Sequence, residues 1–216
     1  MQSAITRFTP QAAGLKFTNH FSFPSFLKFI ADLLRKSPLH LSDVVYGLCG
    51  GMVFTALDYF YANKPVPNFT DPEKIGIALY FYLLKRQFNS LSLDVLQKVF
   101  AWMLLDDATV TKSVVVTEIP TLRSSLDQQN PVPLVLIRGK GVSDPTHNHQ
   151  VLAVGYRLDE DNQVLTIDLY DPNHPGEQPN LSMNLSNPDQ GIALAQSSQE
   201  ALRGFFVARY EKSTPP

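Results

Sequence analysis

The only cysteine in this chain of 216 residues, Cys49, lies in a turn rich in glycine. Gly47, Gly50 and Gly51 surround it and leave space around the thiol. The apolar residues that follow have helical spacing, which predicts that Cys49 begins a helix. Free backbone N–H groups and the helix dipole favour a thiolate at that position, and the thiolate is the nucleophilic form of cysteine. A lone cysteine is often only a small core residue, so this prediction depends on partners elsewhere in the chain.

Partners for this thiol stand in the second half of the chain. His149 opens a predicted strand that continues to Leu158, and Asp171 directly follows the next predicted strand, 163–170. When two such strands pair in an antiparallel hairpin, the start of the first lies beside the end of the second. We therefore expect the imidazole of His149 and the carboxylate of Asp171 to be neighbours.

Thiol, imidazole and carboxylate side chains together perform nucleophilic acyl transfer. The imidazole takes up the thiol proton and holds the thiolate as an ion pair, while the carboxylate fixes the tautomer and orientation of the ring. The thiolate attacks a carbonyl carbon, the imidazolium protonates the leaving group, and water hydrolyses the acyl-enzyme. The predicted catalytic residues are therefore Cys49, His149 and Asp171, and we expect neither a cofactor nor a metal ion at this site.

The order and surroundings of these residues resemble those of the papain-like cysteine peptidase superfamily. They are especially similar to the bacteriocin-processing peptidase domains of ABC exporters and their stand-alone relatives. The resemblance spans residues 40–175, and the matching stretches are Leu48-Cys49-Gly50-Gly51, Asn148 to Tyr156, and Tyr170-Asp171-Pro172-Asn173. It implies a papain-like fold and a cysteine peptidase, that is, a thiol hydrolase that cleaves a peptide or other amide bond.

One position departs from the pattern of that superfamily. Its members usually carry a glutamine several residues before the cysteine, and this glutamine donates a hydrogen bond to the oxyanion; position 43 of this chain is Asp. An ionised carboxylate accepts hydrogen bonds and does not donate them. The candidates for substrate binding or for the oxyanion site are Asp43 itself, Gly47, Asn148 and Gln150.

The residues before position 131 have mainly helical patterns. Apolar side chains recur at helical spacing and predict helices at 25–35, 50–62, 71–88, 92–105 and 118–129. Asp71 before Pro72 is a typical helix start. The inward face of the helix at 92–105 is predicted to consist of Leu93, Leu96, Val99, Phe100 and Met103. Asp58, in the cysteine helix, is predicted to be solvated or hydrogen-bonded.

After residue 131 the pattern changes to apolar runs of strand length, at 133–138, 150–158, 163–170 and 205–211. Helices followed by mostly antiparallel strands indicate an α+β fold, with the cysteine helix packed on the sheet. We expect residues 1–216 to form one papain-like domain. It would comprise an N-terminal arm (1–24), a mainly helical half (25–130) and a mainly strand half (131–211).

Composition limits the classes of partner. The 18 basic and 20 acidic residues nearly balance without a basic block, so neither nucleic acid nor an anionic membrane is expected. No apolar run reaches the roughly 18 residues of a membrane span. The first 23 residues lack signal-peptide features, which predicts a cytoplasmic protein or one exported without a cleavable signal. The expected partner is a peptide or protein substrate, and the sequence does not specify an oligomeric state.

Three other functions fit parts of the same pattern. A transglutaminase-like acyltransferase shares the order of Cys, His and Asp, but usually has Trp just after the cysteine, where this chain has Met52 and Val53. Asp43 at the glutamine position also fits a papain-like binding module with altered catalysis. The third function is a zinc site. Its possible ligands are Cys49, Asp144, His147, His149, Asp171 and His174. The catalytic hypothesis explains these residues without a metal ion.

Overall fold

A computed structural model of the protein describes residues 1–21, 47–186, 195–196 and 202–216. The helix predicted at 25–35 and the candidate Asp43 lie outside these residues.

The described helices follow the predicted order, with two additions. They are α1 (Pro10–Ala13), α2 (Cys49–Tyr61), α3 (Gly76–Ser90), α4 (Leu93–Leu104), α5 (Asp107–Ser113) and α6 (Ile119–Asp127). Short 3-10 turns lie at Pro72–Lys74 and Pro145–His147, and a π-helical turn at Val114–Glu118 joins α5 to α6. The sequence predicted α2, α3, α4 and α6 but not the short helices α1 and α5. The Asp71 side chain caps the first 3-10 turn by accepting a hydrogen bond from the Glu73 N–H.

The strands form one antiparallel sheet, so the fold is mixed α/β. They are β1 (Gln2–Ile5), β2 (Val132–Ile137), β3 (His149–Asp159), β4 (Val164–Tyr170), β5 (Asn180–Asn184), β6 (Ala195–Gln196) and β7 (Gly204–Val207). Their order is β6-β5-β4-β3-β2-β7, and β1 also pairs with β3. The sequence did not predict β1, β5 or β6, which are short.

The pairing of β3 determines where the candidate site forms. Leu136 at the end of β2 lies opposite His149, and Tyr170 at the end of β4 lies opposite Leu152. The start of β3 is therefore flanked by the ends of both neighbouring strands, as antiparallel pairing requires.

Helix α2 packs on β3 and α3 and brings the cysteine turn to this edge of the sheet. Its buried apolar side chains share one core cluster with residues of β3 and β4: Val53, Phe54, Ala56, Leu57, Leu152, Val154 and Tyr170. The prediction that the cysteine helix packs on the sheet is therefore confirmed.

Two glycines permit the close approach of α2 to its neighbours. A Cβ at Gly51 would lie 2.4 Å from the carbonyl oxygen of Leu83, and a Cβ at Gly50 would lie 2.1 Å from Ser90 Oγ and 2.4 Å from Gln150 Oε1. Real Cβ atoms do not come this close to other atoms, so any larger residue requires the neighbouring groups to move. These glycines are therefore needed for packing as well as for the turn.

The N-terminal arm is docked on the body of the protein over its described part. Phe8, Leu15, Phe17 and Phe21 are buried, as expected for an arm whose aromatic residues pack on the domain. The arm also contributes β1 to the sheet.

The predicted orientation of α4 is wrong in part. Val99 and Met103 face the core as expected, but Leu93, Leu96 and Phe100 are 72%, 37% and 50% exposed. The buried face of α4 instead consists of Val95, Val99, Trp102 and Met103. This helix has two apolar stripes, and helical periodicity fits both.

Among the helices that the structure describes, each is too short or too polar to cross a lipid bilayer.

Candidate active site

His149 and Asp171 form a buried pair at the edge where β3 begins and β4 ends. The imidazole Nε2 lies 2.7 Å from Oδ1 of Asp171, and the two residues are only 3% and 0% exposed. Asp171 is the residue directly after β4, and its Oδ1 also accepts a hydrogen bond from the Asn173 N–H at 2.8 Å. The predicted proximity of His149 and Asp171 is thus confirmed.

Cys49 is the first residue of α2 and is half-buried. No side chain caps this helix from its N-cap residue, Leu48. Burial raises the pKa of the Cys49 thiol, but hydrogen bonding and charge from His149, with the backbone N–H groups of Gln150 and Gly50, outweigh burial and lower it below its ordinary value.

The pKa of His149 shifts in the opposite direction to that of Cys49. Burial alone would lower the pKa of His149, but hydrogen bonds to Asp171 and Cys49 and the charges of both raise it to about 9. The pKa of Asp171 is lowered: burial opposes this, while its hydrogen bond to His149 favours the carboxylate. Both shifts favour the charged form of the residue, that is, the thiolate of Cys49 and the imidazolium of His149.

The two ring nitrogens of His149 have different partners. Because Nε2 faces Asp171, the interaction with the thiol uses Nδ1. The carboxylate fixes the proton on Nε2 and directs Nδ1 to the sulfur.

Asn19, a residue of the arm, connects the cysteine turn to the loop after β4. Its Oδ1 accepts a hydrogen bond from the Leu48 N–H at 2.5 Å, and its Nδ2 donates to Asn173 Oδ1 at 3.0 Å. A Cβ at Gly47 would lie 2.8 Å from Asn19 Nδ2, so Gly47 leaves room for this carboxamide. This contact gives Gly47 a structural role; its predicted role in substrate binding stays a prediction.

Arg138 adds a positive charge beside the site. It follows β2, and its charge interacts with both Asp171 and Cys49, while burial lowers its pKa. Its backbone N–H donates to Oδ1 of Asn148 at 2.9 Å. The sequence analysis missed Arg138, although the pairing of β2 with β3 brings the residues after Leu136 close to His149.

The carboxamides of Asn148 and Gln150 both make hydrogen bonds to backbone groups. Asn148 accepts hydrogen bonds from the N–H groups of Arg138 and Gly139 and donates to the carbonyl of Pro145 at 3.1 Å. Nε2 of the buried Gln150 donates to the carbonyl of Ser90 at 3.4 Å. These contacts favour a positioning role for both residues over donation to an oxyanion.

Gln87 of α3 is a residue that the sequence analysis missed. Its Oε1 accepts a hydrogen bond from the Gly51 N–H at 2.8 Å, which is one of the free N–H groups in the first turn of α2. The sequence contains no pattern that joins position 87 to position 49, because the contact depends on how α3 packs on α2.

The side chains proposed as a pool of metal ligands are not all at this site. Asp144 and His147 lie in the exposed turn Pro145–His147 and its cap, and His174 Nδ1 lies 3.7 Å from Glu177. Within the part of the chain that the structure describes, no three His, Cys, Asp or Glu side chains are arranged to hold a metal ion.

Comparisons of this chain with known protein families, curated proteins and solved structures find no match.

Proposed function

We propose that this chain is a thiol hydrolase with papain-like architecture, which cleaves a peptide or other amide bond. Cys49 is the nucleophile, His149 the general base and acid, and Asp171 the residue that orients the ring. The observation that carries the proposal is the 2.7 Å contact between His149 and Asp171, on a ring whose other nitrogen serves the thiol of Cys49.

The position of the thiol supports nucleophilic attack. Cys49 is half-buried whereas His149 and Asp171 are buried, so the residue that carries the thiol is the most exposed of the three. The N-terminus of α2 favours negative charge on the sulfur and on an oxyanion formed next to it.

The reaction follows from these positions. The Cys49 sulfur forms a bond to the carbonyl carbon, and the carbonyl electrons move to oxygen. When the tetrahedral intermediate collapses, the bond to the amine breaks and Nδ1 of His149 gives its proton to the leaving nitrogen. His149 then takes a proton from water, which attacks the thioester and releases the acid with regeneration of the thiol.

The arrangement of elements also supports a papain-like fold. A helix that begins with the nucleophile packs on an antiparallel sheet, and the sheet presents the imidazole at the start of one strand and the carboxylate after its neighbour. The helical elements precede most of the strands in the chain, as in the predicted α+β layout.

The first test is the pH dependence of alkylation of Cys49 by iodoacetamide. The ordinary pKa of cysteine is about 8.5. We expect the parent protein to be labelled well below that pH, and His149→Ala to be labelled only at higher pH. Ordinary thiol titration in both proteins would contradict the proposal.

The second test identifies the reaction. The purified protein and Cys49→Ala are incubated with a diverse peptide library, with and without added primary amine. New peptide termini that need Cys49 indicate hydrolysis, whereas amine conjugates indicate acyl transfer. Reactive thiol without either product would support a binding module.

A further inference from the structure

We propose that the carboxamide of Gln87 donates a hydrogen bond to the oxyanion that forms when an acyl group adds to Cys49. This inference rests on the proposed thiol hydrolase function. It assigns to a residue of α3 a role that the sequence pattern leaves open, because position 43 is Asp.

The orientation of the carboxamide follows from its partner. A backbone N–H only donates, so the atom of Gln87 that faces the Gly51 N–H at 2.8 Å must be the oxygen. Nε2 is thereby turned away from the Gly51 N–H, and no hydrogen bond from it occurs among the described residues. Gln87 as a residue is half-buried rather than buried.

The carboxamide of Gln87 lies at the first turn of α2, the helix that begins with the nucleophile. Gly51 is two residues after Cys49, which corresponds to a rise of about 3 Å along the helix axis. A Cβ at Gly51 would lie 3.1 Å from the backbone nitrogen of Gln87, so α3 packs directly against this first turn. The side chain of Gln87 thus reaches over the N-terminus of the helix that carries the thiol.

Other donors near Cys49 are engaged elsewhere. The N–H groups of Gly50 and Gln150 interact with the sulfur itself. The carboxamides of Asn148 and Gln150 bond to backbone groups. Asn19, Asn148 and Gln150 each use a side-chain N–H in the protein, whereas both side-chain N–H groups of Gln87 are without a partner among the described residues.

The test compares two reactions of the same thiol. Acylation by p-nitrophenyl acetate passes through a tetrahedral oxyanion and releases p-nitrophenolate, whereas alkylation by iodoacetamide displaces iodide without forming an oxyanion. Gln87→Glu keeps an acceptor for the Gly51 N–H but loses the donor, and Gln87→Met loses both without adding charge. Gln97→Glu, on the exposed face of α4, is the matched control.

We expect both Gln87 variants to acylate about 100-fold more slowly or worse, the usual cost of one lost oxyanion donor. Their plateau alkylation rates, measured across pH, should stay within about threefold of the parent, and Gln97→Glu should match the parent in both reactions. A defect in Gln87→Glu alone would indicate charge repulsion and overturn the proposal, as would equal losses in acylation and alkylation. A parent protein that alkylates at low pH but never acylates would instead refute the proposed hydrolase.

Discussion

Asn19 accepts a hydrogen bond from the backbone N–H of Leu48 at 2.5 Å, directly before the candidate nucleophile. The same residue donates its side-chain N–H to Asn173 and its backbone N–H to the carbonyl of Pro172, each at 3.0 Å. The arm thereby joins the turn that presents Cys49 to the loop that holds Asp171. We infer that Asn19 sets the separation between the cysteine turn and the loop that carries Asp171, the partner of His149.

Asn19→Ala should weaken both stability and reactivity. The free energy of unfolding should fall by about 1–3 kcal/mol, because the Leu48 N–H loses its partner. Acylation of Cys49 should slow by about tenfold to a hundredfold, since small displacements of catalytic groups are costly. Urea unfolding and acylation rates measure the two effects. Asn68→Ala, at an exposed position, is the control, and equal behaviour of the two variants would show that Asn19 positions nothing.

The shifted pKa values predict a bell-shaped pH profile for amide hydrolysis. The pKa of Cys49 is lowered, so the thiolate persists below the ordinary cysteine range. The pKa of His149 is raised to about 9, so the imidazolium that protonates the leaving nitrogen is lost above that pH. The hydrolysis rate should therefore fall above pH 9, while alkylation of Cys49 should not.

Asp171→Asn should move the alkaline limb of that profile to lower pH. Asp171 raises the pKa of His149 through its hydrogen bond and negative charge, and an asparagine has no such charge. The check is the rate of hydrolysis between pH 6 and 10 for parent and variant. An alkaline limb that stays in place would mean that another group controls it.

Alanine should be tolerated less well at position 51 than at position 50. Replacing a helical glycine with alanine gains about 1 kcal/mol of helix propensity. At Gly51 the new methyl group would lie 2.4 Å from the Leu83 backbone, which cannot turn aside, whereas at Gly50 it would meet the side chains of Ser90 and Gln150. Thermal unfolding of both variants measures the difference, and a more stable Gly51→Ala protein would contradict this account of the packing.

The buried Asp58 should make Arg86 essential for stability. Arg86 Nε lies 2.7 Å from Asp58 Oδ2, and the carboxylate also accepts hydrogen bonds from the hydroxyls of Tyr82 and Tyr210. Arg86→Met leaves this charge uncompensated and should cost about 3–5 kcal/mol. Lys140→Met, which breaks an exposed pair with Asp107, should cost less than about 1 kcal/mol. Urea unfolding distinguishes them, and similar losses would contradict a special role for the buried pair.

Elements with a single apolar pattern could be predicted from the sequence. The prediction was wrong where two different helix faces fit the same pattern. α2, β3 and β4 have one apolar pattern each, and their positions are confirmed. α4 has two apolar stripes, and tertiary packing on the sheet selected Val95 and Trp102 over Leu93 and Phe100. Periodicity alone contains no information on which stripe meets the sheet.

The residues of the candidate site also divide into those that the sequence could predict and those that it could not. His149 and Asp171 could be paired from the sequence because antiparallel geometry relates the ends of adjacent strands. The same argument applies to Arg138, because β2 pairs with β3. Asn19 and Gln87 could not be predicted, since each reaches the cysteine turn through the packing of separate elements. Asp58 was predicted to be solvated or hydrogen-bonded, and it is hydrogen-bonded in the interior.

The imidazole proposed to activate Cys49 belongs to β3, which is synthesised long after the cysteine turn. Until that strand joins β2 and β4, the thiol has no proton acceptor at its side and behaves as an ordinary cysteine. In a nascent or unfolded chain, Cys49 therefore has only ordinary thiol reactivity. The enhanced reactivity at low pH requires the assembled sheet. The rate at which low-pH alkylation appears during refolding would report on when Cys49 and His149 come together.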